Sequence, residues 1–391
     1  MHRSDNRLLT THVGSLIRPP QLVALLRQRE SSEQVDSQAF AQCLEASVAD
    51  VARAQADIGL DIINDGEFGK TISWSRYVVE RLSGVVRQKT DRESMPAGIV
   101  GKDRRDFAEF YQEYDHTQKF SGLAGWQVND AIKYIGHEAL QRDITDLKRA
   151  VAGLNVEEAF MTAVAPGSVI PDRDDLYYQD DEAFLFAVAD AMHEEYEAIV
   201  NAGFVLQIDD AYMATTYDII VPPGSLQDYR RWAELRVEAL NHALRGIPED
   251  RTRYHMCWGS WNGPHVSDVA FKEIADLVLS IKVGGYALEM GNPRHEHEWR
   301  VWETAKLPAG RVLLPGVISH STNVVEHPEL VCERLVRLAR LVGRENVIAG
   351  ADCGFAQGPF VQRVHPSIMW AKLQSLVEGA RLASRELWGR A

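Results

Sequence analysis

His255 and Cys257, two residues apart, carry the sharpest chemical signal in the sequence. On a β-strand that spacing turns both side chains to one face. An imidazole beside a thiolate is a zinc-type ligand pair. Only four cysteines occur, Cys43, Cys257, Cys332 and Cys353. So few cannot form a disulfide scaffold, and a reducing compartment suits them. Cys43 and Cys332 fall inside helical patterns, where a free cysteine is commonly a small buried hydrophobe. Cys353 could supply a third ligand and Glu289 an oxygen as the fourth, provided the fold brings their segments together. Such a set leaves one weak ligand for an incoming thiol to displace. The plainer reading is that His255 and Cys257 only fill the interior of a sheet.

The elements that must do this positioning show as an alternation. Strand-like runs fall at 8–15, 61–67, 159–164, 204–209, 253–257, 286–290, 312–319 and 346–351. Between them Phe40, Leu44, Val48, Val51 and Ile58 share one helical face, and 183–202, 226–244, 269–281, 328–342 and 368–387 read similarly. Strands alternating with helices imply βα units, and about eight of them favour a closed (β/α)8 TIM barrel. An open sheet would show a Gly-rich dinucleotide turn; His12-Val13-Gly14-Ser15-Leu16 follows the first strand instead. In a barrel the active site lies at the C-terminal strand ends. Those ends carry His12, Gly14, Ser15, Asp65, Glu67, Asp209, Asp210, His255, Cys257, Glu289, His320, Asp352 and Cys353. Glu67 and Asp209 could hold a substrate ammonium, or could be salt-bridged carboxylates of the rim. His295 and His297, flanking Glu296, read as a solvated helix end, and His265 as a loop residue.

Length and composition fit a single catalytic barrel domain spanning 1–391, with an α/β insertion after the second strand at 83–155. A segment that long is expected to cap the barrel mouth or make a contact in a homo-oligomer. The 42 basic residues against 56 acidic ones give a charge of −14, which disfavours nucleic acid as a partner. No apolar run approaches the roughly 20 residues needed to span a bilayer. The polar start Met1-His2-Arg3-Ser4-Asp5 does not read as a signal peptide, and the cytoplasm is the expected address.

A resemblance is carried by Thr11-His12-Val13-Gly14-Ser15-Leu16, Asn64-Asp65-Gly66-Glu67-Phe68, Leu206-Gln207-Ile208-Asp209-Asp210, His255-Met256-Cys257, Leu288-Glu289, Pro315-Gly316-Val317-Ile318-Ser319-His320-Ser321 and Gly350-Ala351-Asp352-Cys353-Gly354. In this order they resemble the catalytic domain of cobalamin-independent methionine synthase. The stretches Cys257-Trp258-Gly259-Ser260-Trp261-Asn262-Gly263-Pro264-His265 and Asn292-Pro293-Arg294-His295-Glu296-His297-Glu298-Trp299 are more similar to its short single-barrel members, which include epoxyalkane:coenzyme M transferase. The resemblance implies a barrel with one Zn2+, held by His255, Cys257, Glu289 and Cys353. It implies that Gly14, Ser15, Glu67 and Asp209 hold the amino-acid part of homocysteine, and that His320 assists proton transfer to the leaving group.

The function implied is zinc-dependent S-alkylation of a small thiol, with methyl transfer to homocysteine or a similar aminothiol as the first expectation. A free thiol is only a few per cent ionised at neutral pH, and coordination to zinc would ionise it. The long form of the family carries a second, N-terminal barrel and a pterin-contacting tryptophan near the third strand. Neither has a counterpart here, where Ala165-Pro166-Gly167 follows that strand, so methyltetrahydrofolate is the weaker candidate for the alkyl donor. The alternatives are epoxide opening by a sulfonate thiol, or the reverse thioether cleavage, with Arg18 or Arg294 as the cation, and a zinc-binding barrel without catalysis.

Overall fold

The structure is a computed structural model that describes residues 1–31, 35–88, 101–118 and 125–389. Its strands are β1 (Leu9–Thr10), β2 (Ile62–Ile63), β3 (Val85–Gln88), β4 (Gly125–Val128), β5 (Glu158–Val164), β6 (Asp174–Asp175), β7 (Val205–Asp209), β8 (Thr252–Met256), β9 (Gly285–Leu288), β10 (Val312–Ile318) and β11 (Ile348–Ala351). Eight of them form one parallel sheet in the order β1-β11-β10-β9-β8-β7-β5-β2. All eight expected runs are thus strands of a (β/α)8 barrel.

The two shortest strands meet at the seam. There the Asp61 N–H donates to the Thr10 carbonyl (3.2 Å), the Thr10 N–H to Asp61 Oδ2 (2.8 Å), and the Thr11 hydroxyl to the Ile62 carbonyl (3.0 Å). Side chains of Asp61 and Thr11 thereby supply bonds that a ladder would otherwise provide, and they bring the ends of β1 and β2 to one rim.

The interior is layered. Leu9, Ile62, Phe160, Val205, Ala287, Val312, Leu314 and Ile348 make an apolar floor. Above it lies a polar layer around the fully buried Arg253. Its guanidinium donates to Gln207 Oε1 (2.8 Å), Thr11 Oγ1 (3.1 Å) and the His12 carbonyl (3.0 Å), and packs 3.7 Å from the Phe160 ring centroid. These bonds tie β8, β7 and β1 together directly beneath the mouth. Burial lowers the Arg253 pKa to about 9.

Outside, amphipathic helices cover the sheet. Ser37–Asp57 starts at an Asp36 cap, Leu226–Ala243 at a Ser225–Asp228 capping box, and Pro328–Val342 and Pro366–Trp388 with proline in the first turn. The pattern at 269–281 gives only a 3-10 turn, Phe271–Glu273, and a short helix, Ala275–Leu279. There the Trp258 indole N–H takes the Val269 carbonyl (2.7 Å) and Glu298 takes the Phe271 N–H (3.0 Å). Backbone groups that could enter a longer helix are already committed to tertiary partners.

Within 83–155, β3 pairs antiparallel with β4, and β4 pairs in parallel with β6, which lies beyond that stretch after β5. Residues 89–100 and 119–124 of that stretch lie outside the described residues. Helices Lys102–Asp106 and Ala108–Gln118 sit over the loop after β8. The Asp103 carboxylate accepts from the His265 and Val266 N–H groups, and Tyr111 and Tyr114 accept from the Trp261 indole and the Asn262 N–H. Among the described residues no helix is long and apolar enough to cross a membrane.

Arg253→Met is expected to cost about 3 kcal/mol or more, because three buried acceptors lose their donor. Chemical denaturation measures this; a loss under about 0.5 kcal/mol would contradict the tie described.

Candidate metal and thiol site

The mouth of the barrel opens into a cavity of about 1050 Å³. On one wall stand His255, Cys257 and Cys353; on the other Ser15, Glu67 and Asp209; further out lie Trp74, Tyr212, Trp126, Trp261, Arg76 and Arg363. The cavity therefore has a chemically dense floor and an aromatic, cationic outer half.

His255 ends β8 with its ring pointing inward, and Cys257 follows on the same side. Cys353 arrives from the end of β11, separated from β8 by β10 and β9 in the sheet, so the contact is made across the mouth. The ligand atoms of His255, Cys257 and Cys353 lie within 4.8 Å of one another, all buried. The two sulfurs are 3.4 Å apart. Tetrahedral coordination at about 2.3 Å per Zn–S bond needs roughly 3.8 Å between sulfurs, so a small adjustment suffices. The His255 Nδ1 faces the Ala287 carbonyl at 3.2 Å, which sets the tautomer and leaves Nε2 as the lone-pair atom. That Nε2 is buried without a protein hydrogen-bond partner. A hydrogen bond from Cys353 and the nearby imidazole hold the Cys257 thiol well below its usual range, while the same bond and burial push Cys353 up. An orphaned imidazole nitrogen facing a thiol pair that shares a proton fits a thiophilic dication.

Glu289 and His320 stand in a second buried group, with ligand atoms within 4.8 Å of each other and of Asp352. Glu289 Oε2 accepts from the Trp258 N–H (3.0 Å) and Oε1 from Asn292. Burial, then the charges of Asp352 and Cys257, push the Glu289 carboxyl well up. Asp352 Oδ1 in turn takes the Met290 and Gly291 N–H groups (3.0 and 2.7 Å), fastening the Glu289 loop to the residue before Cys353. Burial depresses the His320 imidazole to about 3, and both ring nitrogens are buried without a well-formed hydrogen bond. At neutral pH the ring is neutral.

The opposite wall rests on the turn after β2. The Asn64 and Asp65 side chains accept from the Gly66 and Glu67 N–H groups (both 2.9 Å), and Glu67 takes a left-handed φ of 61°. That strained turn directs the Glu67 carboxylate inward. Gly14 passes so close that a Cβ there would lie 2.5 Å from Glu67 Oε1. Glu67 and Asp209 meet at a side chain that the sequence reading passed over, Lys70. Its ammonium lies 2.6 Å from Thr162 Oγ1, 3.5 Å from Glu67 Oε2 and 4.0 Å from Asp209 Oδ2. Arg18 is not a ligand to the cavity: it donates to the Glu67 and Lys70 carbonyls and so braces the turn. Arg294 donates to the Val266 carbonyl (3.0 Å) and does not line the cavity.

No family model matches the chain. It is 24% identical over 378 residues to an uncharacterized Bacillus subtilis protein, YxjH, covering 94% of this chain and 92% of that one. It is 24% identical to 2-hydroxypropyl-CoM lyase of Xanthobacter autotrophicus, covering 98% of this chain and 96% of the lyase. It is 20% identical to methionine synthase of Pyrococcus horikoshii, covering 97% and 94%. A B12-independent methionine synthase from Shewanella, solved with selenomethionine, superposes with a TM-score of 0.72 at 17% identity, over 98% of this chain and all of that one. In sequence the chain is similar to these proteins along almost its whole length, and it shares the barrel fold of the B12-independent methionine synthases.

Of the three histidines expected outside the site, one departs from that expectation. His297 is exposed, but His295 is not a solvated helix end: it is 4% exposed, stacks on Trp258 at 4.0 Å and shares a proton with Asp268 at 2.9 Å. Its local sequence is polar, and only the tryptophan beside Cys257 explains the burial. His265 is a loop residue, bonded to Asp268 and to the Trp261 carbonyl. The signal for Lys70 was a cation three residues past a strand-end carboxylate, in Glu67-Phe68-Gly69-Lys70.

Burial, then the Glu67 charge, push Asp209 up to about 7 against the pull of Lys70 and His255. A carboxyl raised from its ordinary 3.8 retains a proton that the unfolded chain releases. Its contribution to stability therefore declines as pH rises from about 4 to about 7 and is flat above. Asp209→Asn is expected to lose less melting temperature than wild type between pH 5 and pH 8. An equal or steeper loss in the variant would contradict the shift.

Proposed function

We propose that this chain is a zinc-dependent S-alkyltransferase that moves an alkyl group between a small thiol and a donor in the barrel mouth. The observation that supports it most is the orphaned His255 Nε2 beside the Cys257–Cys353 pair, at the floor of a cavity that also receives Glu67 and Asp209. His255, Cys257 and Cys353 would hold the metal, with Glu289 as the fourth, exchangeable ligand. Zinc, when bound, would ionise a coordinated substrate thiol and keep it nucleophilic.

The remaining work falls to this chain's residues. Glu289 is held by the Trp258 N–H and Asn292, and its readiness to take a proton suits a ligand that leaves when a thiol enters. Ser15 lines the acceptor side, where Glu67 and Asp209 orient the acceptor's polar end, while Gly14 packs against Glu67 and does not itself line the cavity. The donor's bulk is assigned to the outer half, between the stacked Trp74 and Tyr212 rings (6.2 Å) and Trp261, with Arg76 and Arg363 for an anionic group. His320, neutral at working pH, acts as a relay: it gives its N–H proton to the leaving nitrogen or oxygen as its other ring nitrogen takes up the proton that the entering thiol releases to Glu289. Helices 102–106 and 108–118, tied to the loop after β8, cap the mouth and limit water.

Methyl transfer to homocysteine follows the methionine synthases among the relatives. The 2-hydroxypropyl-CoM lyase, as similar to this chain as any of those described, favours a second reading in which a thiol opens an epoxide or a thioether is cleaved. The identity of the product separates the two.

Purified wild-type protein is expected to carry about one zinc per chain, and His255→Ala, Cys257→Ala and Cys353→Ala to lose it while remaining folded by circular dichroism. Elemental analysis reads the result. A folded, metal-free wild type that does not take up zinc would overturn the assignment.

A further inference from the structure

His265, Asp268 and His295, which the reaction above does not use, form a cluster behind the loop that carries Cys257. Their side chains are only 5–13% exposed. Asp268 Oδ2 joins the two imidazoles, 2.9 Å from His295 Nε2 and 3.2 Å from His265 Nδ1. His265 Nε2 faces the Trp261 carbonyl at 3.0 Å, so the carboxylate is itself anchored. The other nitrogen of His295, Nδ1, is buried 3.9 Å from Glu298 Oε1, beyond hydrogen-bond reach. Asp268 is therefore the hydrogen-bonded anchor of the His295 ring.

His295 in turn stands between the two groups that hold Glu289. Its ring stacks on Trp258 at 4.0 Å and 18°, and the Trp258 N–H donates to Glu289 Oε2 at 3.0 Å. The Trp258 indole N–H is fixed on the carbonyl of Val269, the residue after Asp268, at 2.7 Å. On the other side the His295 N–H donates to Asn292 Oδ1 at 3.1 Å, which turns the Asn292 amide nitrogen toward Glu289 Oε1. Both Glu289 oxygens thus meet donors whose placement passes through His295 and residues 268–269. With those bonds made, the carboxylate groups with His320 and Asp352 and not with His255, Cys257 and Cys353. The two donors stabilise Glu289 in the position it must take when a thiol enters.

Stacking alone does not call for a histidine, since a phenyl ring would cover Trp258 as well. A buried imidazole and carboxylate cost free energy unless they are paired, and what the pair adds is a fixed geometry. We propose that Asp268 and His295 are positioning residues for Glu289: they keep the Trp258 and Asn292 donors in place and so set how readily a thiol replaces Glu289 at the metal. The inference rests on the metal and thiol reading above and goes beyond its ligand set. Neither residue touches a reacting atom. Loosening either one frees the carboxylate to grip the metal and makes thiol entry harder.

The test loads the full-length chain with cobalt(II) in place of zinc and follows the sulfur-to-cobalt charge-transfer absorption. Homocysteine, its amine-free analogue 4-mercaptobutanoate and 2-mercaptoethanesulfonate are titrated in turn. For the thiol that wild type binds, Asp268→Asn and His295→Phe are expected to raise the midpoint at least about fivefold. The resting absorption from two sulfurs should stay as in wild type. His295→Phe preserves the stacked ring and removes only the tie to Asp268, so it decides alone should Asp268→Asn not fold. In a Glu289→Gln background, where no carboxylate competes, the same substitutions should leave the midpoint unmoved. An unmoved midpoint in the folded single variants, or an equal shift in the Glu289→Gln background, would overturn the proposal while leaving thiol activation intact. A wild type whose absorption responds to none of the three thiols would overturn both.

Discussion

The mouth of this barrel is organised around buried negative charge. Cys257, Cys353, Glu289 and Asp352 crowd one side, and Glu67 and Asp209 the other, all nearly out of contact with solvent. Such groups persist only when paired, protonated or bound to a cation. The two sides meet this constraint differently. Beside Glu67 and Asp209 the chain supplies Lys70, and burial with the Glu67 charge still pushes Asp209 up to about 7. On the thiol side the described residues offer no comparable ammonium: Cys257 and Cys353 share a proton, and burial drives the two carboxyls up, Asp352 to about 6. A dication is the partner proposed for that side.

The rest of the fold serves that arrangement. The apolar floor gives way to the Arg253 layer, whose hydrogen bonds fix the heights at which β1, β7 and β8 end. Those heights decide that His255 and Asp209, paired in register on adjacent strands, face the same cavity from different sides. Closure at Thr10–Asp61 then carries the Glu67 turn round to meet Asp209, and Asp352 couples the Cys353 segment to the Glu289 loop. A barrel opened at that seam would separate the Glu67–Asp209 wall from the His255–Cys257–Cys353 cluster.

Much of this was legible in the linear chain, for physical reasons that also mark where legibility ends. Strand ends could be placed because buried parallel strands are short apolar runs, and residues such as His255, Cys257 and Cys353 stand out against them. The barrel hypothesis then sufficed to expect a meeting that no local pattern encodes. What escaped notice depends on tertiary partners. His295 is buried because Trp258 lies on it, and the helical pattern at 269–281 breaks because Trp258 and Glu298 claim its backbone. Lys70 carries no local sign of burial in its sequence, and only the placement of Thr162 and Asp209 makes it part of the Glu67–Asp209 wall.

The central claim, that His255, Cys257 and Cys353 assemble a zinc site for activating a thiol, is tested most directly by X-ray absorption at the zinc edge with and without added thiol. The account expects two sulfur neighbours and one imidazole in the resting protein, the remaining ligand being oxygen, and a third sulfur in its place once 4-mercaptobutanoate or homocysteine is present. A spectrum whose sulfur count does not change with either thiol would contradict thiol activation at this metal. A resting site without the two sulfurs would contradict the ligand set itself.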